Sequence, residues 1–421
     1  MVKDILQKIR NHPTTVKILL FLSIMGPGII TANVDNDAGG ITTYSLAGAH
    51  FGYTLMWSLL PITLALIVVQ EMCARMAVAT GKGLADLIRE NFGVKVTFYL
   101  MLVLLLVNIG NVMAEFAGIA ASMEIFGVSK FVSVPIAAFL VWVLVVKGNY
   151  KTTEKVFLCA CLFYIAYIIS GFMAKPDWHQ VFKHSLVPQS KFSLEVFVML
   201  VGLVGTTIAP WMQFYQQAST VEKGLPPEDY KLIRLDVIVG CVIAPLVASF
   251  IVIACAATLF QHGVHIETAK DAAVALEPFA GIHATWAFAL GLLIASLFAA
   301  SILPLSTAYS ICEGMGWSEG VDKRFDEAPQ FFGLYTAMIV IGAGVVLFPD
   351  FPLLKVMYFS QVGNGILLPF VLIFMLKLIN NPEIMGEFTN SKLFNIIAWL
   401  TVFVVIALTL VMVGFLVFNG Q

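Results

Sequence analysis

Apolar runs, each about long enough to cross a lipid bilayer, alternate with short polar connections along almost the whole chain. A crossing helix needs ~20 predominantly apolar residues. The pattern predicts helices over 17–49, 53–76, 94–125, 129–147, 154–174, 194–219, 232–260, 281–311, 330–348, 351–378 and 391–418. Two of these runs are interrupted. The first is broken by Asn33-Val34-Asp35-Asn36-Asp37-Ala38-Gly39-Gly40, and the sixth at Ala209-Pro210-Trp211. An Asp at mid-bilayer costs at least ~2.5 kcal/mol on an insertion scale. Irregular backbone at that depth is tolerated only where it lines a protected cavity.

Runs one to five and six to ten superpose in order, which puts Asp37 and Pro210 at matching mid-helix positions. Five is odd, so the second half must enter the membrane upside down. The arrangement resembles the inverted repeat of LeuT-type transporters, whose substrate site lies at two broken helices. The expected fold is an all-α polytopic membrane protein forming a single transport domain over 1–421. Its first repeat covers about 15–175, its second about 190–380, and the eleventh helix lies outside both.

Composition agrees with that class. Hydrophobic residues make up 59% of the 421 and charged residues 12%, with a mean hydropathy of +0.91. The net charge of −2 is spread without a long basic run, which excludes a nucleic-acid partner. Charge placement sets an expected orientation. Of the 24 Lys and Arg, only Lys130, Lys175, Lys183, Lys191, Lys270 and Lys355 fall on the outer side if the N-terminus is cytoplasmic. The C-terminus is then extracellular or periplasmic, in a plasma (inner) membrane, and the protein is expected to be a monomer. The basic start is read as part of the first span rather than as a signal peptide. The six cysteines read as small core residues, with no zinc or disulfide spacing.

An unwound helix frees carbonyl groups on one side of the break and N–H groups on the other. Carbonyls beside a carboxylate make a hard-oxygen cation site, and Asp37 supplies the carboxylate. Pro210 frees a carbonyl about one turn earlier, so Thr206, Thr207 and Ala209 can offer backbone oxygen. Gln361 and Asn364 add amide oxygens. Asp35 or Asn36 reads as a solvated cap. Glu71 and Asp236 read as structural ion pairs with Arg75 and Arg234, and Glu124 as solvated. Glu115, among Asn108, Asn111 and Gly118, is either a hydrogen-bond anchor or part of an ion path.

Residues 26–53, GPGIITANVDNDAGGITTYSLAGAHFGY, resemble the first span of the NRAMP divalent-metal transporters, with Asp37-Ala38-Gly39-Gly40 on their Asp-Pro-Gly-Asn motif. Residues 70–90, the run AEFAG at Ala114–Gly118, IAPWMQFYQQAS at Ile208–Ser219 and SQVGNGILLPF at Ser360–Phe370 are similar to their second, third, sixth and tenth spans. The resemblance implies a metal site at Asp37, Gly40, Thr206, Ala209 and Gln361. It also implies a relay or pathway at Glu115, Trp211 and Gln216, with no cofactor other than the transported ion.

The departures from that pattern carry their own expectations. Ala209 stands where the family has a Met, and Gly40 where it has an Asn. A soft sulfur contributes little to Mg²⁺, which prefers oxygen ligands and keeps several waters, so both changes are expected to make room for a hydrated ion. A shifted register would place Met212 as the soft ligand instead. Trp211 and Gln216 replace the family's two sixth-span histidines, and Val112 an acid of the third. None of the three titrates near neutral pH. The pattern resembles the NRAMP-related magnesium transporters, which implies uptake of Mg²⁺, and of Mn²⁺ as well, by alternating access and without protons. The alternatives are a proton-coupled Mn²⁺/Fe²⁺ transporter, an amino-acid transporter, and a membrane hydrolase. The last rests on Gly316-Trp317-Ser318-Glu319-Gly320, which has no His downstream to complete a triad, so no enzyme is expected.

Overall fold

The computed structural model describes residues 26–148, 150–188, 193–224, 227–263, 266 and 282–419. The expected start of the first span at 17–25, and most of the connection 261–281, lie outside them. Helices account for nearly all of the regular structure: α1 Pro27–Val34, α2 Ala38–Phe51, α3 Met56–Thr80, α4 Leu84–Phe92, α5 Val94–Ile125, α6 Lys130–Val146, α7 Tyr150–Cys161, α8 Ile165–Met173 and α9 Trp178–Leu186 form the first part. The second part comprises α10 Leu194–Thr207, α11 Pro210–Glu222, α12 Tyr230–Thr258, α13 Ile282–Met315, α14 Pro329–Val346, α15 Leu353–Ile379, the short α16 Pro382–Met385 and α17 Lys392–Asn419.

Among the described residues, nine helical stretches are long and apolar enough to cross a membrane, and Lys130–Val146 is a shorter apolar helix. With the broken pair α1 and α2, these account for the eleven expected spans. The outward faces are apolar too: on α17, Leu400, Phe403 and Leu410 are exposed. Such a contiguous apolar surface fits lipid rather than water.

Three short helices, α4, α9 and the four-residue α16, were not foreseen. α4 is amphipathic, burying Leu84, Leu87 and Ile88 while Asp86 and Arg89 pair along its polar side at 2.9 Å. α9 is started by Asp177, whose Oδ1 accepts from the N–H groups of His179 and Gln180. The fifth span is interrupted by a 3₁₀ turn at Leu162–Tyr164. All six cysteines are free, and four are buried; Cys159 is exposed and Cys161 half-buried, so these two face outward from α7 instead of filling the core.

Glycines set the closest helix contacts. A Cβ on Gly28 of α1 would lie 2.6 Å from Val237 backbone, and one on Gly48 of α2 would lie 2.5 Å from Val252 O. Both halves of the broken first span therefore rest directly on the backbone of α12. In the same way, a Cβ on Gly205 of α10 would lie 2.1 Å from Gln361 O and 2.4 Å from Gly365 N of α15.

At one end of the bundle a polar network ties distant spans together. Arg75 pairs with Glu71 at 3.1 Å and donates to Thr389 O at 3.1 Å and to Asn390 Oδ1. Tyr230 donates to Glu71. Removing one partner from such a buried pair costs about 3–5 kcal/mol. The expected Glu71–Arg75 pair is thus present, whereas Asp236 is not paired with Arg234. Its carboxylate accepts from Gly26 N at 3.2 Å and Gly28 N at 2.7 Å, while the Arg234 guanidinium lies over the Phe394 ring. The free N–H groups at the start of α1 are a better partner than a guanidinium that can stack on an aromatic face.

Candidate functional site at the two helix breaks

Each break has a local cause. In the first, Asn33 O accepts from Asn36 N at 3.1 Å, which turns the chain out of α1. Asp37, in extended conformation, then caps α2 with its Oδ1 accepting from Gly40 N at 2.6 Å. In the second, Pro210 has no N–H, and its ring holds the preceding Ala209 extended at φ −65°, ψ 139°. The chain ends α10 at Thr207 and starts α11 at Pro210, leaving the last carbonyls of α10 without helical partners.

The breaks meet at Gly40. A Cβ placed there would lie 2.3 Å from the Asp35 carbonyl O, 3.1 Å from Thr206 Oγ1 and 3.3 Å from Asp37 Oδ1. Oxygens from both breaks therefore converge on one small volume. In this conformation Gly40 serves close backbone approach and leaves no room beside it. The region is closed, with Asp37 3% and Ala209 2% exposed.

Glu115 reaches the first break from α5. Its Oε2 accepts from Ala38 N at 3.1 Å, and its Oε1 has no hydrogen-bond partner. Glu115 is therefore an anchor for the start of α2, next to Asp37 in the chain. Thr206 Oγ1 is buried and also without a partner.

Gln361 lies against the first break with its Nε2 side facing Gly39, where a Cβ would come within 1.9 Å. Its Oε1 accepts from Asn364 Nδ2 at 2.9 Å, and Asn364 and Asn111 exchange a pair of side-chain hydrogen bonds, Asn111 Nδ2 donating at 2.9 Å and Asn364 Nδ2 at 3.1 Å. Asn108 extends the chain to Thr307 at 2.9 Å. In this conformation the Gln361 oxygen expected at the site is engaged by the amide network, and its amino group faces the break.

Trp211 is buried in the first turn of α11, its carbonyl accepting from Ser306 Oγ at 3.1 Å and its ring tilted against Tyr215. Gln216 donates to Thr220 Oγ1 at 3.2 Å, and its Oε1 has no partner. Met212 is buried in the same first turn of α11, its N–H bonded to Ala209 O at 3.0 Å.

Asp35 and Asn36 are not solvated caps. Both are buried, Asp35 at 2% and Asn36 at 0% exposure, and Asn36 Nδ2 donates to Ala244 O at 3.2 Å. The unwound segment is enclosed by α12 and α10, so a polar residue there faces protein instead of water. That Asp35 and Asp37 sit two apart within one apolar run was the available signal.

At the far end of α11, Glu222 lines a cavity of about 380 Å³ together with Lys82, Asp86, Glu313, Glu319 and Lys323, among others. Glu222 closes its near wall, accepting from the Tyr309 hydroxyl and from Val321 N at 2.9 Å.

Two broken spans in corresponding positions of inverted halves define the architecture of LeuT-fold membrane transporters. The profile of the family described as natural resistance-associated macrophage protein-like matches residues 28–414, and the chain belongs to that Nramp family. It is 28% identical over 407 residues to the divalent metal cation transporter MntH of Bacillus subtilis, covering 93% of this chain and 92% of that one. It is 29% identical over 395 residues to the MntH of Yersinia pestis, covering 92% and 93%. In fold it is similar to the Eremococcus coleocola manganese transporter, with a TM-score of 0.78 at 21% identity over 93% of this chain and 86% of that one. It is more distantly similar to the nucleobase-cation-symport-1 transporter Mhp1 in a closed conformation, with a TM-score of 0.57 at 12% identity over 88% and 82%.

Proposed function

We propose that this chain moves divalent metal ions across the membrane by alternating access, with Mg²⁺ as preferred cargo, Mn²⁺ as a second, and no coupled proton. The observation that carries the reading is the convergence at Gly40 of Asp37 Oδ1, Thr206 Oγ1 and the Asp35 carbonyl, all hard oxygen donors. Ala209 stands where the family motif has a soft thioether, and hard donors suit Mg²⁺. The family and the names of the MntH relatives support divalent-metal cargo in general.

In this reading Asp37 is the anionic ligand, and the Thr206 and Ala209 carbonyls complete the shell, some through water. Gln361 joins only if its amide rotates. The closed breaks represent an occluded stage, and a hydrated ion enters when α1 or α11 swings away. With the N-terminus cytoplasmic, a potential negative inside favours entry of a divalent ion by about 4.6 kcal/mol per 100 mV.

A second reading is favoured by one observation. Glu115 has an unpartnered Oε1 at the break, so it and Asp37 offer a carboxylate pair through which a proton could travel with Mn²⁺. The two readings separate in proteoliposomes loaded with a metal-sensitive and a proton-sensitive dye. Mg²⁺ entry without acidification, lost in Asp37→Ala, supports the first. Mn²⁺ entry with acidification and no Mg²⁺ entry supports the second and sinks the first.

A further inference from the structure

The Asp35 carboxylate is the least satisfied charged group near the breaks. It is buried, and its Oδ1 has no hydrogen-bond partner. Its Oδ2 is 3.3 Å from the Tyr44 hydroxyl. Tyr44 is itself 2.8 Å from Thr207 Oγ1, which is 2.8 Å from Leu203 O. Two hydroxyls have two protons between them and three places for them. If Thr207 donates to Leu203 and Tyr44 to Thr207, Asp35 receives none; if Thr207 donates to Tyr44, or if Tyr44 turns its proton to Asp35 and leaves Thr207, Asp35 receives one.

An ionised carboxylate has about four acceptor sites. Buried charges are ordinarily paired or coordinate metals. No such partner for the Asp35 side chain lies among the described ion pairs, and Asp37, two residues on, is another acid. At the breaks, the Thr206 hydroxyl and Asn36 Oδ1 are also buried without partners. Asp35's own carbonyl is already one of the three oxygens gathered at Gly40. Buried oxygens left without partners around a carboxylate are the environment a cation completes.

We infer that the Asp35 carboxylate is a second anionic arm of the cation site, so that Asp35 and Asp37 together present two negative charges to a divalent ion between the breaks. The inference rests on the divalent-cargo reading above. Two carboxylates match the charge of the ion, and without the ion they leave like charges together in a protein interior. Asp35 thereby favours divalent over monovalent cations and makes the empty site the less stable one. Tyr44 holds the arm by a single long contact, leaving Oδ1 free to meet the ion directly or through a retained water.

The test is Asp35→Asn in the full chain, with Mg²⁺ and Mn²⁺ affinity measured by calorimetry and thermal unfolding measured with and without metal. The expected result is an affinity loss of at least about tenfold for both ions, together with metal-free stability equal to or above that of the unaltered protein. The metal-induced rise in Tm should shrink accordingly. Affinity within about twofold of the unaltered protein overturns the inference. Lowered metal-free stability, or failure to fold, also overturns it, since either makes Asp35 a structural group. Crystals of the unaltered protein soaked in Mn²⁺ give an independent reading: anomalous density beyond one water's reach of Asp35 Oδ1 overturns it too. If the unaltered protein binds neither ion, the divalent-cargo reading itself fails. If it binds them and only Asp35→Asn is silent, that reading stands without Asp35.

Discussion

The carboxylate of Asp236 and the backbone nitrogen of Gly28 are 2.7 Å apart, although 208 residues separate them in the chain. With the second bond, from Gly26 N at 3.2 Å, Asp236 holds the N-terminal end of α1, one half of the broken first span. A carboxylate there satisfies free N–H groups and complements the helix dipole. In Asp236→Asn one of the two bonds and the charge are lost, weakening the tether by about 1–2 kcal/mol. Amides in Pro27–Val34 should then exchange with deuterium about tenfold faster, while those of α15 keep their rates. Unchanged exchange in α1 would show that Asp236 does not restrain it.

Gly40→Ala is expected to be costly. The added methyl meets the Asp35 carbonyl at 2.3 Å, a backbone atom that cannot rotate away. Overpacking of this kind costs about 1–3 kcal/mol. A lower Tm in detergent and reduced metal uptake should appear together. An unchanged Tm would mean that the two breaks are free to separate at little cost.

Glu115 separates its two candidate roles by substitution. Glu115→Gln keeps an oxygen for Ala38 N, whereas Glu115→Ala leaves that buried N–H unpaired, at about 1–3 kcal/mol. An anchor alone predicts that Gln retains stability and Mg²⁺ uptake while Ala loses stability. If Gln abolishes uptake and an accompanying acidification, the proton-coupled reading gains instead.

Glu319, in the connection between α13 and α14, has its carboxyl pushed up to about 8, first by burial and then by the Asp86 charge across the cavity. Its folded value lies above its unfolded one, near 4.5, so between these values the folded chain holds a proton that the unfolded chain has released. Stability therefore falls as pH rises from about 4.5 to 8, and levels off above that. Glu319→Gln should flatten this decline in unfolding measured across that window. An equally steep decline in the variant would place its origin in other groups.

The spans were legible because apolar length suffices to mark a membrane helix, and the breaks because Pro210 cannot continue a helix from the preceding turn and Asp37 is a residue type that caps a new one. The short helices α4 and α9 were not, since amphipathic segments at a surface resemble polar connections. Asp35 was misread for a related reason. A polar residue at a helix end is usually wet, and only the placement of α10 and α12 around the unwound segment makes it dry. The partner of Asp236 is backbone N–H, which carries no residue-type signal, so Arg234 was the only partner visible from sequence. The direction of the Gln361 amide depends on Asn364 and Asn111, whose meeting across α5 and α15 is likewise a tertiary fact.

The contact of Gly205 with Gln361 and Gly365 has a mechanical consequence. Where backbone lies against backbone there are no side chains to reshuffle between α10 and α15, and any side chain at Gly205 would push the two helices apart. A swivel in the sixth span is expected past Thr207, in the non-helical Ile208–Ala209 link, with α11 as the arm. Thr206 stays with α10 and Ala209 moves with the hinge. On the proposed reading, in which both carbonyls hold the ion, such a swing would draw these two oxygens apart, so the motion that exposes the ion would also loosen the grip on it.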